Sequence, residues 1–192
     1  IAELGIEVKF NTEVKDISSL KEDEIVVATG AKPRILRSVP GYEKMIEATD
    51  YLTGTPVGNT VAVIGGGLTG CEIAYELALM GKKPIIVEMK DDLVSQKGVC
   101  LANSSYLREW FDLNKTPVYL ETKLKEVGDG YILVTRKDGN ETKILCDSVI
   151  SSAGYVPAPI AAKGNVHLVG DCLKVGNLRS VIWRAFETAA KI

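Results

Sequence analysis

The stretch that most constrains this chain runs from Thr60 to Glu88. Residues 60–64 (Thr-Val-Ala-Val-Ile) are a β-branched run, and 65–70 (Gly-Gly-Gly-Leu-Thr-Gly) a glycine-rich turn. An apolar helical stretch follows, then Pro-Ile-Ile-Val and a terminal carboxylate, Glu88. A G-x-G-x-x-G turn between a strand and a helix predicts a dinucleotide-binding unit. Gly65 permits the tight turn out of the strand. Gly67 removes a side chain where a pyrophosphate approaches the backbone, and Gly70 lets the helix pack closely on the strand. The helix N-terminus offers free N–H groups and partial positive charge to phosphates. Glu88 follows Gly70 by 18 residues. A carboxylate there accepts hydrogen bonds from both ribose hydroxyls and repels a 2′-phosphate, which favours NAD(H) over NADP(H). Lys90, just beyond, is either a partner for a 2′-phosphate or a solvated lysine. The competing reading, a glycine-rich turn in an unrelated α/β protein, must explain the strand, helix, second strand and acid together.

The flanks belong to a different pattern. Residues 2–5 resemble the end of a helix, stopped at Gly5, and Ile6–Phe10 alternate as a strand does. A strand over Glu24–Thr29 ends in Ala-Thr-Gly. Residues 31–57, rich in Pro, Gly and Thr, predict a linker. The central helix is expected from Leu68 to Met80, with Ile73, Ala74, Leu77, Ala78 and Met80 as its apolar stripe and Gly81 as its cap. Residues 91–103 are polar and irregular, and a helix over Ser104–Asp112 follows, with Leu107, Trp110 and Phe111 toward the core. Lys123–Val127, Tyr131–Arg136 and Glu141–Leu145, separated by Gly-Asp-Gly and Asp-Gly, predict a β-meander. It sits between two parallel strands, Pro117–Leu120 and Ser148–Ser152. The chain finishes with a strand over Val166–Val169, the pair Gly170-Asp171, and a helix over Leu178–Lys191.

Composition excludes more than it selects. The 192 residues are 46% hydrophobic and 25% charged, with net charge −2 and an isoelectric point near 5.6. Nothing in that balance attracts nucleic acid or an anionic membrane. No signal peptide or apolar run of membrane-spanning length is visible. The four cysteines, Cys71, Cys100, Cys146 and Cys172, are not spaced for zinc or an iron–sulfur cluster. Cys71 and Cys146 lie in apolar surroundings as buried thiols, and a reducing cytoplasm is the natural setting. The only histidine, His167, sits in a strand-like run and is expected in the core. No catalytic side chain or metal ligand set is expected, so the reactive atoms are expected to belong to a bound cofactor.

Four segments in order carry a resemblance: Ile-Val-Val-Ala-Thr-Gly-Ala-Lys-Pro-Arg (25–34), the glycine turn, Ser-Ala-Gly-Tyr-Val-Pro (152–157) and Val-His-Leu-Val-Gly-Asp-Cys (166–172). Together they resemble the flavoprotein reductases of two dinucleotide folds, of pyridine nucleotide-disulfide oxidoreductase type, in which an NAD domain is inserted into an FAD domain. The final stretch, 175–189, is most similar to the old yellow enzyme-related branch: 2-enoate and 2,4-dienoyl-CoA reductases and bile-acid NADH:flavin oxidoreductases. The fold implied is α/β. An NAD-binding domain (58–155) of Rossmann type lies between remnants of a split FAD domain (1–30 and 156–192), with 31–57 as the linker.

By this resemblance Gly65, Gly66, Gly67, Leu68, Thr69, Gly70 and Glu88 hold NAD(H). Ala28, Thr29 and Gly30 form the turn leaving the FAD half, and Gly154 with Pro157 the return. Asp171, after Gly170, bonds the ribityl chain of FAD, and the last helix points its N-terminus at the flavin pyrimidine. Singly these have plainer readings: Asp171 as a helix N-cap or loop acid, Ala-Thr-Gly as a strand end, and Glu72 as a solvated first-turn acid.

The family's first FAD fingerprint and its CxxxxC redox pair are absent. With Ile1 in place of Met, the chain reads as a piece of a longer protein. Its N-terminal part is expected to carry FMN, a 4Fe-4S cluster and the enoate or enoyl-CoA site. The resemblance implies an NADH-dependent reductase of an activated C=C bond. This chain alone is expected to be inactive and to bind no flavin tightly. The alternatives are a non-catalytic NAD(H)-binding module and a barrel-less ferredoxin- or NADH-oxidase-type reductase.

Overall fold

The computed structural model describes residues 1–96, 98–161 and 164–192. In chain order the strands are β1 (Ile25–Val27), β2 (Ala31–Pro33), β3 (Ile46–Glu47), β4 (Thr60–Ile64), β5 (Lys83–Val87), β6 (Val118–Tyr119), β7 (Thr122–Gly128), β8 (Tyr131–Arg136), β9 (Glu141–Leu145), β10 (Ser148–Ser151), β11 (Tyr155–Pro157) and β12 (Val166–Leu168). The helices are α1 (Ala48–Leu52), α2 (Leu68–Leu79), α3 (Leu101–Leu113) and α4 (Leu178–Ala189). The chain divides into two compact units, one of residues 33–155 and one of residues 1–32 with 156–192. The expected α/β class is what is found.

The larger unit is built on a parallel five-stranded sheet in the order β3-β10-β4-β5-β6. Its strands alternate sides, and both sides are apolar because both are covered. Val61, Val63, Ile86 and Ile150 face α2 and α3, where they meet Ile73, Ala74, Leu77, Leu107 and Phe111. Ala62, Ile64, Ile85, Val87 and Val149 face the antiparallel meander β7-β8-β9 through Val127, Ile132, Val134 and Ile144. Phe111 is the largest fully buried side chain of the helical layer, and Trp110 packs edge-on against it. Phe111→Ala is expected to destabilise the protein by about 3–5 kcal/mol, through lost burial and a cavity the sheet cannot fill. Denaturant midpoints of the two proteins check this.

Helix α2 ends as expected. Gly81 at φ 77° follows the last turn, its N–H bonds Ala78 O, and Lys82 N–H bonds Leu77 O. That closes the helix with a left-handed glycine. Met80, expected in the apolar stripe, is exposed instead, because the helix has already ended at Leu79.

Two expectations about whole segments fail. Ile6–Phe10 is not a strand, and Ile6, Val8 and Phe10 are exposed. Alternation makes a strand only where a sheet edge accepts its backbone hydrogen bonds, and none pairs with it among the described residues. Residues 31–57 are not a linker. β3 pairs with β10, α1 follows at once, and Val39 and Ala48 are buried. Gly41, at φ 79°, brings this segment so close to β7 that any Cβ there would overlap Val127 O. The glycine is a docking point, which composition alone cannot separate from a flexible spacer. Helix α3 also starts earlier than expected, at Leu101. Lys97, in the stretch expected to be irregular, lies outside the described residues.

In the smaller unit β1 pairs in parallel with β12, with Ile25 opposite Val166 and Val27 opposite Leu168. His167, expected in the core, is half-exposed, with Nε2 2.6 Å from Glu24 Oε2. Cys172 is buried, and its thiol donates to Val27 O and Val169 O, each at 3.0 Å. Helix α4 is opened by a capping box: Asn177 Oδ1 accepts from Ser180 N–H and Ser180 Oγ from Asn177 N–H. No described helix is long and apolar enough to cross a membrane.

Candidate functional site

The strand order places the glycine turn at a reversal of the sheet. From β4 the chain crosses through α2 to β5 on one side, while β10 lies on the other. Ligands of open parallel sheets bind at the carboxyl ends of strands flanking such a reversal. There Gly65 N–H donates to Val87 O at 2.9 Å and Ser152 N–H to Ile64 O at 2.8 Å.

The glycines are held there by different neighbours. Gly65 has φ 109°, and a Cβ would overlap Ser152 O. A Cβ on Gly70 would overlap the backbone carbonyl of Gly65, so strand end and helix touch main chain to main chain. At Gly66 the space is taken by Leu93 and Glu88. At Gly67 only the end of the Gln96 side chain is in the way. Among the described residues no acceptor is present for the N–H groups of Gly67, Leu68 and Thr69, and the first turn of α2 carries no acid. These are the groups that satisfy an anion at a helix N-terminus. A dinucleotide pyrophosphate fits this cradle.

Glu88 follows β5 directly, beside the turn. Its Oε2 accepts from Gly66 N–H at 2.6 Å and its Oε1 from Lys90 N–H at 2.8 Å. The carboxylate is thus aimed before any ligand arrives, and each oxygen keeps a further lone pair for a ribose hydroxyl. The structure therefore brings Gly65–Gly70 and Glu88 together. Cys71, on the buried side of the turn, has its thiol pushed up to about 12 by burial first and then by the Glu88 charge. Burial likewise raises Cys146 to about 11. Both stay neutral thiols at physiological pH.

The other expected residues form separate groups. Gly30 has φ 77°, and Thr29 Oγ1 donates to Ala158 O at 2.9 Å. Ala28 precedes them at the end of β1. Gly154 has φ 84°, and its carbonyl accepts from Arg34 N–H at 2.9 Å. Gly170, at φ 64°, and Asp171 start a short 3₁₀ turn; Asp171 Oδ1 accepts from Gly176 N–H at 3.0 Å. The capping box uses the N–H groups of Asn177 and Ser180, and among the described residues those of Leu178 and Arg179 have no acceptor at the start of α4.

One part of the site was hidden in the sequence. Residues 92–96, within the stretch expected to be irregular, fold over the glycine turn, with Leu93 and Val94 buried. Val94 N–H bonds Gly66 O at 2.8 Å, and Leu93 O accepts from Arg108 Nε and Nη2 at 2.9 and 2.6 Å. Two adjacent buried aliphatics in a polar stretch were the available signal.

Residues 5–175 match the family described as pyridine nucleotide-disulphide oxidoreductase. The chain belongs to this family. Among curated relatives it is 35% identical along its whole length to cinnamate reductase of Clostridium sporogenes, covering 30% of that protein. It is 27% identical along its whole length to NADH oxidase of Thermoanaerobacter brockii, covering 32% of it. A solved 2-naphthoyl-CoA reductase in complex with 2-naphthoyl-CoA superposes with a TM-score of 0.81 at 24% identity, over 100% of this chain and 30% of that one. Histamine dehydrogenase from Rhizobium sp. 4-9 superposes at 0.71 with 18% identity, over 88% of this chain and 30% of that one. The chain thus spans about a third of the length of these relatives. The superpositions establish the pyridine nucleotide-disulphide oxidoreductase fold, and the resemblance drawn from the motifs holds at the level of the family.

Proposed function

We propose that this chain is the NADH-binding electron-entry module of a flavin-dependent oxidoreductase whose full-length form reduces an activated C=C bond of the enoate or enoyl-CoA class. The observation that carries the nucleotide part is the turn itself: N–H groups at the start of α2 with no acceptor among the described residues, and a carboxylate already oriented beside them by Gly66 and Lys90. The similarity to cinnamate reductase supports the substrate class.

In this reading the N-terminus of α2 binds the pyrophosphate, Gly67 leaves it room, and Glu88 holds the adenosine ribose. Residues 33–155 are the NAD domain and residues 1–32 and 156–192 belong to the FAD domain, with Ala28–Gly30 and Gly154 close to where the chain passes from one to the other. The chemistry a bound nicotinamide would supply here is a hydride, for which FAD would be the acceptor. Asp171 would hold the ribityl chain through its second oxygen. The N–H groups opening α4 would favour negative charge on the reduced flavin. FMN, a 4Fe-4S cluster and the enoate site are assigned to parts of the protein outside this chain, and a cytoplasmic setting goes with them.

The test is anaerobic rapid mixing of the full-length protein with NADH and, separately, NADPH. Flavin bleaching faster with NADH, followed by reoxidation on adding a cinnamate-type acid or its CoA thioester, is the expected result. NADH binding without bleaching would instead mark a non-catalytic nucleotide module. Bleaching without reoxidation would point to another electron acceptor.

A further inference from the structure

We propose that Gln96 is a pyrophosphate ligand of the nucleotide site, held over the glycine turn by a strained clamp formed by residues 92–96. The inference rests on the dinucleotide reading above and adds to it a residue outside the glycine motif.

Val94 is the sign that this segment is held in place. It is β-branched, yet its φ is 49°, in the left-handed region. Such a conformation is unfavourable for valine and persists only where its surroundings over-determine it. Here they do. Val94 is 3% exposed, and its N–H is tied to Gly66 O. Leu93 fills the space above Gly66. Arg108, from α3, grips Leu93 O with two N–H groups and pairs with Asp92 at 2.8 Å. The glycine turn, α3 and residues 92–94 are thereby one connected piece.

The clamp delivers Gln96. Two residues past Val94, its carboxamide nitrogen occupies the space that the missing Cβ of Gly67 leaves open. The side chain is exposed and has no hydrogen-bond partner among the described residues. An amide group offers two N–H donors. They stand at Gly67, where a Cβ would meet only the end of this side chain, whereas at Gly65 and Gly70 it would meet backbone. A phosphate oxygen brought to the N–H groups of Gly67 and Leu68 arrives beside this amide. A small swing of the side chain admits the phosphate and turns the donors onto it. A neutral donor adds a directed hydrogen bond without attracting free anions from a distance.

Calorimetric titration of the full-length protein with ADP-ribose tests the role, because that probe carries the pyrophosphate but cannot reduce a flavin. Gln96→Ala is expected to weaken binding about tenfold, the effect of one hydrogen bond to a charged group. Gln96→Glu is expected to weaken it about a hundredfold, with a loss that shrinks at high salt, since a carboxylate then faces the phosphates. The thermal midpoints are expected to stay unchanged, because the side chain holds nothing in the fold. If Gln96→Ala binds ADP-ribose as tightly as the original or more tightly, the residue is a bystander or a plug. The inference then falls while the dinucleotide reading stands. If the unmodified protein binds no ADP-ribose, the dinucleotide reading itself falls, and Gln96 with it.

Discussion

Gly70→Ala is expected to disrupt the 33–155 unit and abolish nucleotide binding. The added methyl would overlap the carbonyl oxygen of Gly65, a main-chain atom that cannot turn away. To relieve the clash α2 must lift from β4, and its buried face, Cys71, Ile73, Ala74 and Leu77, lifts with it. Forced overpacking against a backbone costs about 3 kcal/mol or more. In a protein of this size that lowers the melting midpoint by about 10 °C. Gly67→Ala is the informative contrast. There the new methyl meets only the end of the Gln96 side chain, which can swing aside. That variant is expected to melt within about 1 kcal/mol of the original, yet to lose NADH binding because the methyl enters the phosphate path. Calorimetric melting with nucleotide titration separates the two. A Gly70→Ala protein that melts like the original would show that α2 is not held on β4 through this contact.

The second large effect is expected at Glu88. Glu88→Ala removes the acceptor for Gly66 N–H and Lys90 N–H and, in the proposed complex, the partner of the ribose hydroxyls. Hydrogen bonds to a charged group contribute about 1.5–3 kcal/mol each. NADH affinity should therefore drop by about 10–100-fold for each ribose hydroxyl that loses its acceptor. NADPH should lose little or gain, since the repulsion of its 2′-phosphate goes with the carboxylate. The NADH-to-NADPH affinity ratio, measured in the full-length protein, is the deciding number. An unmoved ratio would refute the ribose role of Glu88 and return the discrimination to the groups around Lys90.

Most of the nucleotide unit was legible in the chain because its signals are local. A β-branched run, a glycine turn, a period of 3.6 and a second strand each act within a few residues. The same holds for the meander, whose Gly-Asp-Gly and Asp-Gly turns set its strand limits to within a residue. The acid at position 88 was legible too, because a strand of known length carries it back to the turn. What failed was non-local. Ile6–Phe10 has the alternation of a strand but no partner. Residues 31–57 have the composition of a linker but supply an edge strand and two buried side chains. Met80 is the local exception: it has the right period but lies one residue past a helix end that Gly81 closes.

The glycine motif by itself determined the α/β class, the turn, the helix that follows and the acid beside it. It could do so because backbone sterics, helix capping and strand alternation are decided by neighbours in sequence. Tertiary structure alone decided that residues 33–57 join the larger unit, and that Arg108 and the strained Val94 fold 92–96 over the turn. It also decided that Gln96 reaches Gly67. Those outcomes depend on which distant surface each segment finds to bury itself against. A pattern of residues can show that a surface is needed, but not where it is.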